Sequence, residues 1–300
     1  MPIPILLDTD IGDDIDDALA LGLICRCPEF ELRGVTTVFG NVQARARQAR
    51  TVLAVAGEKY RAIPVAAGCS ATLASRKLQQ PQANAEYLPN QDSTCLSERD
   101  LHPLDPRHGV DFMIETLLAG DVIPITIGAM TNLAMAITKE PRLLKRIPKV
   151  ISMAAEFNRL MPEWNILCDP EAAHIVFSSG LPMDVITWDI GRTVRFAEAD
   201  VQRLNVSANP LAHRLHSAIT AWRTFHRNPT MAPSLYDPMT VATLIDPTLV
   251  TWKTGTVSVE LAGQQTYGFT LLKEGGGPHR VAFDADRERS IDFYLRRILA

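Results

Sequence analysis

The 300 residues carry 30 Lys and Arg against 34 Asp and Glu, a net charge of −4, with the basic residues scattered along the chain. A near-neutral chain without a basic stripe has no electrostatic footprint for nucleic acid, and no apolar stretch approaches the roughly 20 residues of a membrane span. The length is enough for one large α/β domain or two smaller ones. Met1-Pro2 leads straight into an apolar run, so no signal peptide is read, and the five cysteines are odd in number and lack metal-ligand spacing. Reduced thiols in a cytoplasmic chain are the expectation.

Residues 3 to 7 form a short apolar run that reads as a buried strand, Gly12 allows a sharp turn, and residues 18 to 24 continue as a helix buried on most faces. Between them lie six aspartates within ten positions, Asp8, Asp10, Asp13, Asp14, Asp16 and Asp17. Helix capping accounts for one or two such residues. The rest would repel one another across a helix turn, and a hard cation with six to eight oxygen ligands removes that repulsion. Asp13 and Asp14 are expected to be caps or solvated charges.

A second strand over 31 to 39, a helix over 43 to 57 and a third strand over 61 to 68 give the crossover rhythm of a parallel sheet. Asn41 falls just past a strand end, where a turn-forming role competes with a place in the site. Residues 74 to 108, rich in Gln, Asn, Pro and Ser, read as a lid or a disordered loop. Order resumes with a helix over 110 to 118, a strand over 122 to 128, a helix over 133 to 138 and a strand over 149 to 153. Glu156, Asn158, Glu163 and Asn165 follow in an irregular segment, and Asp169-Pro170 opens a helix as N-cap and first residue. A strand over 185 to 188 and helical stretches from 197 to 227 come next. Asp237-Pro238 starts an apolar helix, where the aspartate reads as a cap on spacing alone. Alternation over 256 to 261 and again near 268 to 271 predicts antiparallel strands, and residues 286 to 299 a closing amphipathic helix. The expected architecture is one α/β domain over residues 1 to 300, a mostly parallel, Rossmann-like central sheet flanked by helices with a small antiparallel extension near the C-terminus.

Asp8-Thr9-Asp10-Ile11-Gly12 with Asp16-Asp17-Ala18 resembles the clustered-aspartate signature of the inosine-uridine-preferring nucleoside hydrolase family. In the family's order follow Val35 to Asn41, Ile127-Gly128-Ala129-Met130-Thr131-Asn132, Glu163-Trp164-Asn165-Ile166 before Asp169-Pro170-Glu171, Asp237-Pro238 and Thr266-Tyr267-Gly268. The resemblance implies hydrolysis of the N-ribosidic bond of ribonucleosides, purine or pyrimidine, by a homo-oligomer, dimer or tetramer. It implies that Asp10 ligates Ca²⁺ and takes the proton from its bound water, and that Asp17, Asp237 and the carbonyl of Ile127 complete the protein ligands. Asp16, Asn165, Glu163 and Asn41 would hold the ribose, with Asn158 and Trp222 as further substrate contacts and Asp8 as support from the strand end.

The chain departs from that family at three places. Asp14-Ile15 lengthens the segment between the glycine and the aspartate pair by two residues. Tyr236 stands where a histidine acid for the leaving base is usual, so that role falls to Tyr236, to His226 or to neither. Phe157 replaces an asparagine, with Asn158 adjacent, and His108-Gly109 comes too late for a His-Gly pair of some members. Rival readings are a Ca²⁺-dependent nucleoside- or ribose-binding protein without turnover and a haloacid-dehalogenase-like phosphatase using Asp8-Thr9-Asp10. An EF-hand fits less well, since Leu19 stands where a bidentate Glu is needed.

Overall fold

The apolar run behind Met1 is a strand because both of its faces are covered. In the computed structural model, which describes residues 1–74 and 80–300, β1 (Ile3–Thr9) sends Ile5 and Leu7 into one apolar layer and Leu6 into another. Such two-sided burial selects continuous apolar sequence and parallel pairing. Helix α1 (Asp16–Cys25) is buried along its whole length, which is why its apolar residues surround it instead of forming a stripe. It is followed by β2 (Phe30–Thr37), α2 (Val42–Ala56), the short α3 (Glu58–Arg61) and β3 (Val65–Ala67). The expected third strand therefore begins later than its apolar character suggested, because Arg61 closes α3.

Beyond the strap of residues 80–108 come α4 (Gly109–Leu118), β4 (Ile123–Thr126), α5 (Thr131–Lys139), β5 (Val150–Met153), α6 (Trp164–Cys168), α7 (Pro170–Phe177) and β6 (Met183–Ile186). Trp188, expected in that strand, opens α8 (Trp188–Thr193) instead. Then follow α9 (Glu198–Val206), α10 (Pro210–Phe225), α11 (Tyr236–Ile245), β7 (Val250–Val259), β8 (Thr270–Glu274), β9 (His279–Ala285) and α12 (Arg287–Leu299). The nine strands among the described residues make one sheet in the order β3-β2-β1-β4-β5-β6-β9-β7-β8. β9, which the alternation did not reveal, runs parallel to β6 and antiparallel to β7, and so welds the antiparallel extension to the parallel core.

The order 3-2-1-4-5-6 reverses direction between β1 and β4. At such a switch point the loops leaving the two strand ends diverge to opposite sides and open a crevice, the place where doubly wound sheets bind ligands.

Candidate active site at the switch point of the sheet

Asp10 follows the last residue of β1, and Ile127-Gly128 follows β4, so the crevice is edged by these two turns. Gly128 is required there by space: a Cβ on it would lie 2.9 Å from both the backbone nitrogen and Oδ1 of Asp10. Asp16 and Asp17 form the first turn of α1, and Asp237 sits in the first turn of α11, which packs on α1. Asp16, Asp17 and Asp237 are 6%, 4% and 2% exposed, and each has a carboxylate oxygen within 4.8 Å of the others. Asp10, Ile127, Met153, Glu163, Asn165 and Tyr236 line the same cavity, with Trp164 and Trp188 as its aromatic walls.

The polar wall is tightly bonded. Glu163 caps α6 by accepting from the backbone N–H groups of Asn165 at 2.8 Å and Ile166 at 3.1 Å. Asn165 Nδ2 donates to the carbonyls of Met153 at 3.2 Å and Ile127 at 3.4 Å. Thr9 Oγ1 donates to Asp17. Arg45, 1% exposed on α2, donates to the carbonyls of Phe39, Asp10 and Ile11 and pairs with Asp13 at 2.9 Å.

Burial dominates the electrostatics, because a carboxylate removed from water favours its neutral form. It raises Asp10 to about 6 against the opposing pull of Arg45, and Glu163 to about 7. Asp16, Asp17 and Asp237 are pushed well above the ordinary carboxylate range, first by burial and then by the charge of neighbouring aspartates, Asp14 and Asp10 for Asp16, Asp10 and Asp16 for Asp17, and Asp16 and Asp17 for Asp237. Buried together and ionised, this set is short of positive charge. All its donors are hard oxygens, which suits Ca²⁺ or Mg²⁺ and does not suit a soft metal.

Of the expected site residues, Asp10, Asp16, Asp17, Ile127, Glu163, Asn165, Tyr236 and Asp237 share the cavity. Asp237, a cap on spacing alone, makes no cap bond; its helix has Leu235 at the N-cap. Asp13 and Asp14 do not cap α1, which starts from Ile15 without a side-chain cap; Asp14 is exposed, as its solvated alternative has it, Asp13 holds Arg45, and both line the cavity. Trp222 and Asp14 line an adjoining hollow with Arg195 and Ser234, and Asp14 and Tyr236 belong to both spaces.

Three other expected site residues stand outside this cavity lining, and the long loop has its own course. Asn41 spends Oδ1 on the Ala44 N–H as the cap of α2, away from the cavity lining. Asn158 is exposed and donates to Asp189 at 2.6 Å, with its backbone N–H held by the Glu156 carboxylate at 2.7 Å. His226 caps the exposed end of α10 against the Trp222 and Phe225 rings, so its charge reaches Asp14 while its ring stays outside both spaces. Of the long loop, residues 80–108 follow a bonded course: Pro89 packs on Gly12, and Asn90 and Gln91 donate to the Gly12–Asp14 carbonyls. Residues 75–79 of that stretch lie outside the described residues. Asp169 is the expected cap, accepting from Ala172 at 3.1 Å, and His108 caps α4. Asp8 is 1% exposed, raised to about 7 by burial despite hydrogen bonds from Thr36 and Asn132. Sealed in this way it cannot be a phosphatase nucleophile.

Arg45, Met153, Trp164 and Trp188 were missed. Arg45 had a signal: it falls on the same helical face as Val42, Ala46, Ala49 and Leu53, all buried, where a cation has no reason to sit unless it has partners. The two tryptophans had none, since an aromatic residue after a strand is ordinary core material.

Residues 5–292 match the family model of the inosine-uridine preferring nucleoside hydrolases. The chain is 32% identical over 282 residues to the inosine-uridine preferring nucleoside hydrolase of Crithidia fasciculata, covering 90% of this chain and 88% of that one. It is 30% identical over 316 residues to the pyrimidine-specific ribonucleoside hydrolase RihA of Photobacterium profundum, covering 99% of both. Among solved structures, a plant nucleoside hydrolase, PpNRh1, superposes with a TM-score of 0.85 at 27% identity over the full length of both chains. With this coverage, and with the acidic crevice at the switch point of its sheet, the chain belongs to the inosine-uridine preferring nucleoside hydrolase family.

Proposed function

We propose that the chain acts as a single catalytic unit that hydrolyses the N-ribosidic bond of ribonucleosides to ribose and free base, with Ca²⁺ held by Asp10, Asp17, Asp237 and the Ile127 carbonyl. The observation that carries this reading is the convergence of Asp16, Asp17 and Asp237 within 4.8 Å beside Asp10, buried and undercompensated in charge. When bound, the ion supplies the positive charge that neutralises these carboxylates and makes a water in its shell more acidic.

The chain's own residues do the rest. Asp10 accepts the proton from the attacking water. Asp16, Glu163 and Asn165 orient the ribose, and their negative ends stabilise the oxocarbenium-like charge that grows on the sugar as the bond to the base breaks. Met153, Trp164 and Trp188 exclude bulk water from that charge. The base departs with the bonding electron pair toward the hollow lined by Trp222, on the side where Tyr236 and Asp14 stand between the two spaces. Burial raises the Tyr236 hydroxyl above its ordinary value, so it stays protonated and donates a hydrogen bond to the departing base. The specificities in the relatives' names, inosine-uridine preferring and pyrimidine-specific, support a purine and pyrimidine range. Five free cysteines support a cytoplasmic setting, and no helix among the described residues is long and apolar enough to cross a membrane. We read the working form as a dimer or tetramer.

The test is ribose release from inosine, uridine and their 2′-deoxy counterparts, with Ca²⁺ and with EDTA. Turnover of the ribonucleosides that EDTA abolishes supports the reading. Equal turnover of both sugars, or none from any ribonucleoside, would overturn it; the second result would leave a nucleoside-binding protein.

A further inference from the structure

We infer that Asn90 and Gln91 are positioning residues that set the shape of the acidic loop and thereby its affinity for Ca²⁺. The inference rests on the cation reading above. The loop from Asp10 to Asp14 has five consecutive carbonyls, and each accepts a hydrogen bond from outside it. Arg45 serves those of Asp10 and Ile11. Gln91 N–H serves Gly12 at 3.0 Å, Asn90 Nδ2 serves Asp13 at 2.6 Å, and Gln91 Nε2 serves Asp14 at 2.7 Å.

The contact is built. Gln91 is fully buried. Gly12, at φ 126°, lies under Pro89 so closely that a Cβ on it would be 2.7 Å from Pro89 Cβ. Asn90 Oδ1 and Gln91 Oε1 are buried and meet no partner among the described residues, so the amide N–H groups are the polar contacts these side chains make. The strap is moored to α2, the helix that carries Arg45, through Asp92 with Arg47 at 2.5 Å and the Leu96 N–H with Thr51 at 3.2 Å. One helix and one strap thus hold the loop from its two ends.

The reason lies in the loop's charge. Its carboxylates repel one another, and α1 has no side-chain cap to fix where the helix begins. Without external donors the loop would relax outward, and a cation would have to gather its ligands on binding, at a cost in affinity.

The experiment is calorimetric titration of Ca²⁺ into the metal-free full chain. Gln91→Met and Asn90→Leu keep size and remove the donors, and each weakens Ca²⁺ binding by about fivefold, in the range of one neutral hydrogen bond; the double variant weakens it by more than either. Glu98→Gln, which removes the partner of Arg50 elsewhere in the strap, leaves Ca²⁺ affinity unchanged. If Gln91→Met does not fold, Asn90→Leu carries the test. Folded variants with wild-type Ca²⁺ affinity, or a Glu98→Gln chain weakened as much as they are, would overturn the positioning role. A wild-type chain that takes up no Ca²⁺ would instead overturn the cation reading, and this inference with it.

Discussion

A buried carboxylate within the sheet, Asp184, and the set gathered at the crevice of the sheet are treated in opposite ways. Asp184, on β6, is 6% exposed and receives Arg280 through two nitrogens at 2.6 Å and Lys149 at 2.9 Å. Burial pushes it upward, but these two cations outweigh burial and hold it below the usual range. Arg280 stands opposite Asp184 in the register of β6 and β9, so the pair locks the joint between the parallel core and the antiparallel extension. In the crevice at β1 and β4, Asp10, Asp16, Asp17 and Asp237 are all raised, and the nearby Arg45 is occupied by three carbonyls and Asp13. A carboxylate whose countercharge comes from the neighbouring strand is a structural part. Carboxylates that the chain gathers and leaves undercompensated need their countercharge from a ligand.

Removing a carboxylate from each place tests this division. Asp10→Asn lowers kcat for ribose release by about 10³-fold, the scale of a lost general base, whereas Asp184→Asn leaves kcat within about twofold, because no part of Asp184 reaches the cavity. A steady-state assay on inosine reads both. Comparable losses in the two variants would abolish the distinction.

Metal removal should separate the two places by pH. The crevice carboxylates have folded values above their unfolded ones, with Asp10 at about 6. Their contribution to stability is therefore fully present below the unfolded value near 4 and is lost as pH rises through the folded values. Metal-free protein should melt lower at pH 8 than at pH 5, and Ca²⁺ at 100 times its Kd should restore about 2.7 kcal/mol at pH 8. Thermal melts with EDTA and with Ca²⁺ at both pH values check this; identical melting at pH 8 would mean that no cation completes the crevice. Asp184 has the reverse sign. Its depressed value makes its contribution present above the unfolded value and lost as pH falls through the folded one. Asp184→Asn should cost about 2 kcal/mol in urea unfolding at pH 7, below the figure for a fully buried pair because the Lys149 and Arg280 side chains are 30% and 43% exposed.

The two places were not equally readable from the chain. The crevice announced itself because six aspartates between apolar runs contradict their surroundings, and the alternation of strand and helix placed them at a strand end. Asp184 and Arg280 gave no such signal, since one acid and one base 96 positions apart look like surface residues until β9 brings them together. β9 itself was hidden by its charged and polar members, His279, Arg280 and Asp284, which sit on a strand whose buried face is short. Asn158 and Asn41 were hard to place for a different reason: an amide's partner is chosen by local geometry, Asp189 for the first and the cap of α2 for the second, and neither is visible in spacing. The strap escaped because its role rests on backbone carbonyls, which every residue has.

The smallest effect concerns the hydroxyl on the wall of the crevice, that of Tyr236. Tyr236 is held above its ordinary value by burial, with Asp16 and Asp14 adding to the rise, so it suits hydrogen-bond donation and resists full proton transfer. Tyr236→Phe should then lower kcat/KM for inosine and uridine by about tenfold, the scale of one hydrogen bond to a group gaining charge, and should barely alter hydrolysis of 4-nitrophenyl riboside, whose leaving group needs no such help. His226→Ala, at the exposed end of α10, should change neither substrate by more than about twofold. If His226→Ala produced the tenfold loss on nucleosides and Tyr236→Phe did not, the acid would lie outside the crevice, and the boundary of the charge-starved pocket would have to be redrawn to include the end of α10.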